Sequence, residues 1–496
     1  MRKSDFDFSQ PNRQSYVAIL MILFKTINIV GRQLLPVILV IFIGSSKKKV
    51  DYLIYMVIAT AGLSMIYALV NFFRTYFMVV NDELVIHTGV FSRKKTSIPF
   101  ERIQTINFEQ NIIHQFFSVL KLKVDTAGSD KNEFEFHALD SEKAYALRDM
   151  VLEGKRKNAK IPTSPSEQEK EMLPIFKLIM GISVAKLLKV GITENHLRSG
   201  GLIFVFFIWI YQSLQEVGLD VDDYSENVPS LEFSLDVILA LAMLFLIVSI
   251  AISMIRSVVK HYDLQFLRSD HGFKVVSGLF TRREVSAIDH KIQFISWSDN
   301  LLKRLVGYKD LALHQASSSA LKIKQNITIP GCEQLHIDQV VTTLFGDNDL
   351  DQMQQRPVDV RYFKRFALIV SVLLLIIITM GIWYEEYVKS LAVILFGLLL
   401  IIRRYLSYRK KAYRFDDQLL HIRGGIFGEK EEVMPMFKIQ AVELHQSPYQ
   451  TRHHLCSLSI YTASGGVGIP YISLKEGQQL CDLILYKVQA SNKKWM

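Results

Sequence analysis

Cysteine is scarce: Cys332, Cys456 and Cys481 are the only three in 496 residues. They are too few and too far apart for a disulfide framework or a zinc knuckle, which places the extramembrane parts in a reducing compartment. Charge is scarce as well, with 21% charged against 50% hydrophobic residues, a balance too apolar for an ordinary soluble protein of this length. The N-terminus has no short apolar core followed by a small-residue cleavage site, so no removable signal peptide is expected. No glycine-rich loop carries the Lys-Ser/Thr that a phosphate loop requires. The net charge of +10 does not require nucleic acid, because Lys and Arg collect beside membrane spans for topological reasons alone.

What the chain has instead is long apolar runs. Tyr52 to Phe73, Gly201 to Leu214, Leu235 to Ile255, Phe366 to Trp383 and Leu391 to Ile402 approach or reach the length needed to cross a bilayer. Residues 16–43 are interrupted by Lys25, Arg32 and Pro36, and read as an interfacial amphipathic helix entering a short span near Leu34 to Ile43. Phe176 to Ile192 reads as a second amphipathic prelude, against the alternative that either prelude is itself a span. Arg256, Lys260, Arg361, Lys364, Arg365 and the basic run Arg403 to Lys411 lie on one side of the spans, and the acidic loop from Glu216 to Glu232 on the other. The positive-inside rule then places both termini and the intervening domains in the cytoplasm, in a multi-pass protein of the bacterial inner membrane. Lys47, Lys48 and Lys49 run against this pattern.

After each pair of spans comes one segment in three ungapped copies, offset by 189 and 336 residues. Gly89 matches Gly278 and Gly425; Phe91 matches Phe280 and Phe427; Ile103 and Gln104 match Ile292 and Gln293, and Ile439 and Gln440. Leu122 and Ala127 likewise match Leu311 and Ala316, and Leu458 and Ala463. Around these positions the hydrophobic period is two, the signature of strands, and each copy closes on a helical pattern: Ser141 to Leu152, Cys332 to Phe345 and Leu474 to Val488. The shared Gly is expected in a turn or bulge with positive φ, structural rather than ligand-binding, and the shared Phe as the first core-facing residue after it.

The order of two spans, a strand, Gly-X-Phe, Ile-Gln, a further strand, Thr-Ala-Gly/Ser and a helix resembles the bacterial pleckstrin-homology-like domain of the YdbT-like membrane protein family. The likeness covers nearly the whole chain. Copies one (Thr126 to Ser129) and three (Thr462 to Gly465) keep the last motif, whereas copy two has Gln315 to Ser318 there. The resemblance implies a membrane-integrated chain whose fold class is membrane α-helical plus α+β: three repeats of a transmembrane helix pair and a β-sandwich capped by a C-terminal helix. It implies no enzymatic activity and no cofactor.

The expected domains are an amphipathic helix with span pair one over 14–75, β domain one over 76–155, a linker over 156–171, an amphipathic helix with span pair two over 172–260, β domain two over 261–346, a linker over 347–360, span pair three over 361–411 and β domain three over 412–492. Basic turns at Arg93, Lys94 and Lys95 and at Arg282 and Arg283 are candidates for anionic lipid head groups, against the alternative of ordinary solvated turns. Copy three has Glu429, Lys430, Glu431 and Glu432 there. His453, His454 and Cys456, with His421 and His445, are private to copy three and read as ordinary histidines rather than metal ligands.

The functional expectation is a non-enzymatic scaffold whose modules bind one another, a partner membrane protein or a second copy of the chain, with membrane lipids around it and no nucleic acid. The alternatives are a lipid-handling protein and a transporter or channel. The last is disfavoured because acidic residues such as Asp51 and Asp236 lie only at span ends.

Overall fold

The computed structural model describes residues 6–43, 47–126, 134–158, 176–194, 235–316, 327–346, 353–385 and 387–491. The expected span at Gly201 to Leu214 and the acidic loop after it lie outside the described residues. One element order recurs three times. The first pass is β1 (Asn12–Arg13), α1 (Val17–Ile43), α2 (Lys47–Arg74), β2 (Tyr76–Val80), β3 (Glu83–Thr88), β4 (Lys94–Pro99), β5 (Ile103–Asn111), α3 (Ile112–Phe116), β6 (Val119–Thr126), β7 (Phe134–Asp140) and α4 (Ser141–Asn158). The second is β8 (Lys177–Gly181), α5 (Val184–Ile192), α6 (Leu235–His261), β9 (Gln265–Ser269), β10 (Gly272–Ser277), β11 (Thr281–Ile288), β12 (Ile292–Ser298), α7 (Leu301–Val306), β13 (Lys309–Gln315), β14 (Ile327–Cys332) and α8 (Gln334–Phe345). The third is β15 (Arg356–Pro357), α9 (Arg361–Trp383), α10 (Tyr387–Lys410), β16 (Ala412–Phe415), β17 (Leu419–Gly424), β18 (Lys430–Pro435), β19 (Ile439–His445), α11 (Pro448–Arg452), β20 (Leu455–Thr462), β21 (Gly465–Ser473) and α12 (Leu474–Ala490).

Among the described residues, four helical segments, Tyr55–Arg74, Met243–His261, Arg361–Trp383 and Tyr387–Lys410, are long and apolar enough to cross a membrane. The chain falls into two compact units: residues 1–173, 195–264 and 276–286, and residues 174–194, 265–275 and 287–496.

In the first unit β1 to β4 form an antiparallel sheet in chain order, and β5, β6 and β7 a second. Phe77, Leu84, Ile86 and Ile98 from one sheet meet Phe108, Leu122, Val124 and Phe136 from the other, and Ala144, Leu147 and Val151 of α4 close the open end. Alternation puts these residues on inner faces because successive strand side chains point to opposite sides. Thr281 to Glu284 of β11 then extend the second sheet, antiparallel to Asn111 to Phe108 of β5.

The second unit repeats the plan. β15 to β18 form one layer and β19, β20 and β21 the other, with Leu480 and Ile484 of α12 packed over Leu420, Met434, Leu458 and Ile469. Lys430 to Val433 of β18 pair antiparallel with Ser298 to Ile295 of β12, which continues into β13 and β14.

Two readings of amphipathic preludes are refined here. Residues 17–43 form one continuous helix, α1. Its first turns pack on the β layer, where Ala18, Met21 and Ile22 are buried against Phe72, Val119 and Ala138, and Lys25 stands 3.5 Å from Glu135 of β7. Phe176 to Ile192 is no single amphipathic helix. Lys177–Gly181 is a strand paired with β9, and only Val184–Ile192 is helical, held on β14 by buried Leu187 and Val190. In both places the amphipathic pattern arises because one face packs on a sheet.

Candidate functional site

The feature common to all three copies is the Gly-X-Phe turn. Gly89, Gly278 and Gly425 have φ of +115°, +116° and +130°. Only glycine adopts these values without a Cβ penalty. A Cβ there would collide with the carbonyl oxygen of Ser92, Thr281 or Gly428, so each turn closes tightly on itself. The expectation that the following Phe faces the core is overturned. Phe91 is 97% exposed, Phe280 51% and Phe427 57%, because the tight turn throws the two residues after Gly out to its tip.

That tip is fastened to the end of the preceding long helix. Arg74, the last residue of α2, donates to the Val90 carbonyl at 2.7 Å. Val259 of α6 accepts from the Leu279 amide at 3.0 Å, and Tyr262 just beyond α6 accepts from the Gly278 amide at 2.9 Å. Lys410, the last residue of α10, donates to the carbonyls of Phe427 and Gly428, both at 2.9 Å. An apolar pair, Val90 and Phe91, Leu279 and Phe280, or Ile426 and Phe427, thus stands beside the end of one long apolar helix in each repeat. Gly-X-Phe next to a span end is the sequence signal for this, since aromatic residues collect at membrane interfaces.

The five basic candidates separate into two classes. Arg93, Lys94 and Lys95 are all exposed, and among the described residues none of their side chains makes an ion pair or a hydrogen bond. Arg283 reaches Glu109 of β5 at 3.4 Å and Arg282 reaches Asp263 at 3.6 Å, so the second turn spends its cations on neighbouring carboxylates. A cavity of about 190 Å³ beside it is lined by Gln115, Tyr262, Asp263, Ser277, Gly278, Leu279 and Arg282. That is below the size of an ordinary ligand pocket, and this cavity does not enclose a lipid. In the third turn Glu429 pairs with Arg304 at 3.1 Å and Arg423 at 2.7 Å, while its amide donates to Asp299 at 2.6 Å.

Gln104, Gln293 and Gln440 occupy the same place in three strands: second residue of β5, β12 and β19, at the register shift against β6, β13 and β20. They are the extra residues of a β-bulge, which a repeat alignment places but does not explain. Sequence reading missed two further repeated devices. Asn111, Asn300 and Ser447 cap α3, α7 and α11 by accepting from the amides of His114, Lys303 and Gln450. Ser118, Gly307 and His454 then share the left-handed conformation that ends each of these turns. His454 is therefore a backbone position, and His421 is buried against Glu431 at 2.8 Å. Among the described residues no three metal-ligating groups come together. Gly465, Gly466 and Gly468 lie within β21, paired with β20, rather than in a turn between strands.

Lys438 sits in the short turn before β19 and is buried. Its ammonium donates to the carbonyls of Asp289 at 3.4 Å, His290 at 3.0 Å and Ile292. Burial pushes its pKa down to about 8, partly offset by Asp289.

The chain is similar to two proteins of Bacillus subtilis (strain 168). It is 23% identical to UPF0699 transmembrane protein YdbT over 463 residues, 91% of this chain and 92% of that one. It is 30% identical to UPF0699 transmembrane protein YdbS over 78 residues, 15% of this chain and 49% of that one. The family described as Bacterial PH domain matches it over residues 29–155, 226–346 and 364–488. Three matched segments, each joining a long apolar helix to a two-layer β module, make this chain a membrane protein that belongs to the Bacterial PH domain family.

Proposed function

We propose that the protein is a non-catalytic scaffold of the bacterial inner membrane, whose modules and termini lie in the cytoplasm and hold other protein chains by strand addition. The observation that carries this reading is the pair of junctions Thr281–Glu284 on β5 and Lys430–Val433 on β12, in which a strand of one repeat completes the sheet of the repeat before it. Main-chain ladders of this kind supply affinity without a pocket or a catalytic group. The test is native mass spectrometry of the full chain extracted into nanodiscs with its own lipids. A protein assembly held through a module is the expected result. A monomer that retains only a defined lipid would replace this reading with lipid handling.

A second reading applies to the first turn alone. Phe91 is 97% exposed beside three cations with no partner among the described residues, an arrangement suited to an anionic membrane surface. A Phe91→Trp chain in nanodiscs should be quenched by brominated phosphatidylglycerol. Fluorescence indifferent to the brominated lipid would remove the idea.

A further inference from the structure

We propose that β19 of one chain pairs antiparallel with β4 of a second copy, in the register that already joins consecutive repeats, so that copies add head to tail. This deepens the scaffold reading and rests on it. The two internal junctions obey one rule. Phe108 faces Glu284 and Glu109 faces Arg283 in the first; Trp297 faces Glu431 and Ser298 faces Lys430 in the second. Trp297 and Ser298 follow Phe108 and Glu109 by the offset between the first and second copies, and Glu431 and Lys430 follow Glu284 and Arg283 by the offset between the second and third, so the registers are identical.

Each junction joins the fifth strand of one repeat to the fourth strand of the next. The corresponding strands of the third and first repeats, β19 and β4, take no such neighbour and are sheet edges among the described residues. The exposure agrees. Ile292 to Trp297 of the joined strand β12 are all buried, whereas Gln440, Ala441, Glu443 and His445 of β19 are exposed, as are Lys94, Lys95 and Ser97 of β4. A bare edge presents unpaired amides and carbonyls to any strand of matching length, and proteins rarely leave one without a use or a guard.

Applying the same register puts Leu444 opposite Lys95, His445 opposite Lys94, Glu443 opposite Thr96 and Val442 opposite Ser97. Glu443 then lies diagonal to Lys94, within reach of an ion pair, while the position that holds Arg283 opposite Glu109 at 3.4 Å in the first internal junction becomes Lys94 opposite His445. The lysines of β4 are thus given a partner, and the two edges are unlike. A contact between unlike surfaces does not close on itself as a two-fold dimer does; it extends.

The test uses two full-length chains with different tags, co-expressed in the membrane, each with Cys481→Ser. One carries Thr96→Cys and the other Glu443→Cys, since directly opposed residues lie within disulfide reach. Oxidation should give a dimer bearing both tags, while Ser97→Cys against Glu443→Cys should give little. In pairs of chains that lack the introduced cysteines and keep Glu443, Lys94→Glu with Lys95→Glu should cut capture of one tag by the other roughly fivefold by setting like charge beside Glu443. His445→Cys with Lys94→Cys is a second pair should the first fail to fold. No two-tag product from either pair, or equal yield in the shifted register, would overturn the proposal. If a different protein is captured on β4 or β19 instead, the proposal falls and the scaffold reading stands; if no protein is held at all, both fall.

Discussion

The three turn glycines share a backbone conformation that residues with side chains rarely adopt. At Gly278 the backbone has φ +116°, and a side chain would run into the Thr281 carbonyl. Replacing Gly278 with Val should lower stability by roughly 1–3 kcal/mol through backbone strain, read as a fall in thermal midpoint in detergent. Unchanged stability would show that the turn relaxes. At this scale the sequence was half legible. A glycine identical in three copies whose turns differ in charge, Arg93 and Lys94 against Glu429 and Lys430, speaks for the backbone. The direction in which Phe91, Phe280 and Phe427 point did not follow, because it depends on how tightly the turn closes and on the helix end that the turn is bonded to.

The element that matters most is the junction between repeats, and two kinds of contact hold it. The close approach is steric: a Cβ on Gly428 would collide with the Asp299 carbonyl, beside the bond from the Asp299 amide to the Glu429 carbonyl at 2.9 Å. The Arg304 to Glu429 pair at 3.1 Å is exposed on the Arg side, and such pairs contribute about 0–1 kcal/mol. Gly428→Ala should therefore loosen β12 from β18 more than Arg304→Ala does. Amide hydrogen exchange at Lys430 to Val433 reads the difference, and equal protection loss in the two variants would reverse the ranking.

For the whole molecule, the expectation that every module lies on one side of the membrane can be measured, though not with the native thiols. Cys332 and Cys456 are buried, and burial pushes their thiols up to about 12 and about 11, so neither is a ready target for a thiol reagent. Exposed positions serve better: Tyr384 between α9 and α10 is 68% exposed and Tyr486 on α12 is 64% exposed. In intact cells an impermeant maleimide should label Tyr384→Cys, and Tyr486→Cys only after permeabilisation. The opposite pattern would invert the topology.

The sequence by itself determined the apolar runs, the strand periodicity and the threefold repeat, because each is a local or periodic property written into neighbouring residues. The equivalence of Gln104, Gln293 and Gln440 followed from fixed offsets alone. Only the tertiary structure decided that Phe176 to Ile192 is a strand and a short helix: an apolar face looks the same whether a membrane or a sheet covers it. Only the tertiary structure joined β5 to β11 and β12 to β18, and left β4 and β19 as edges. Main-chain hydrogen bonding is common to every residue type except proline, so which strand takes which neighbour is set by long-range packing and not by side chains that can be read along the chain.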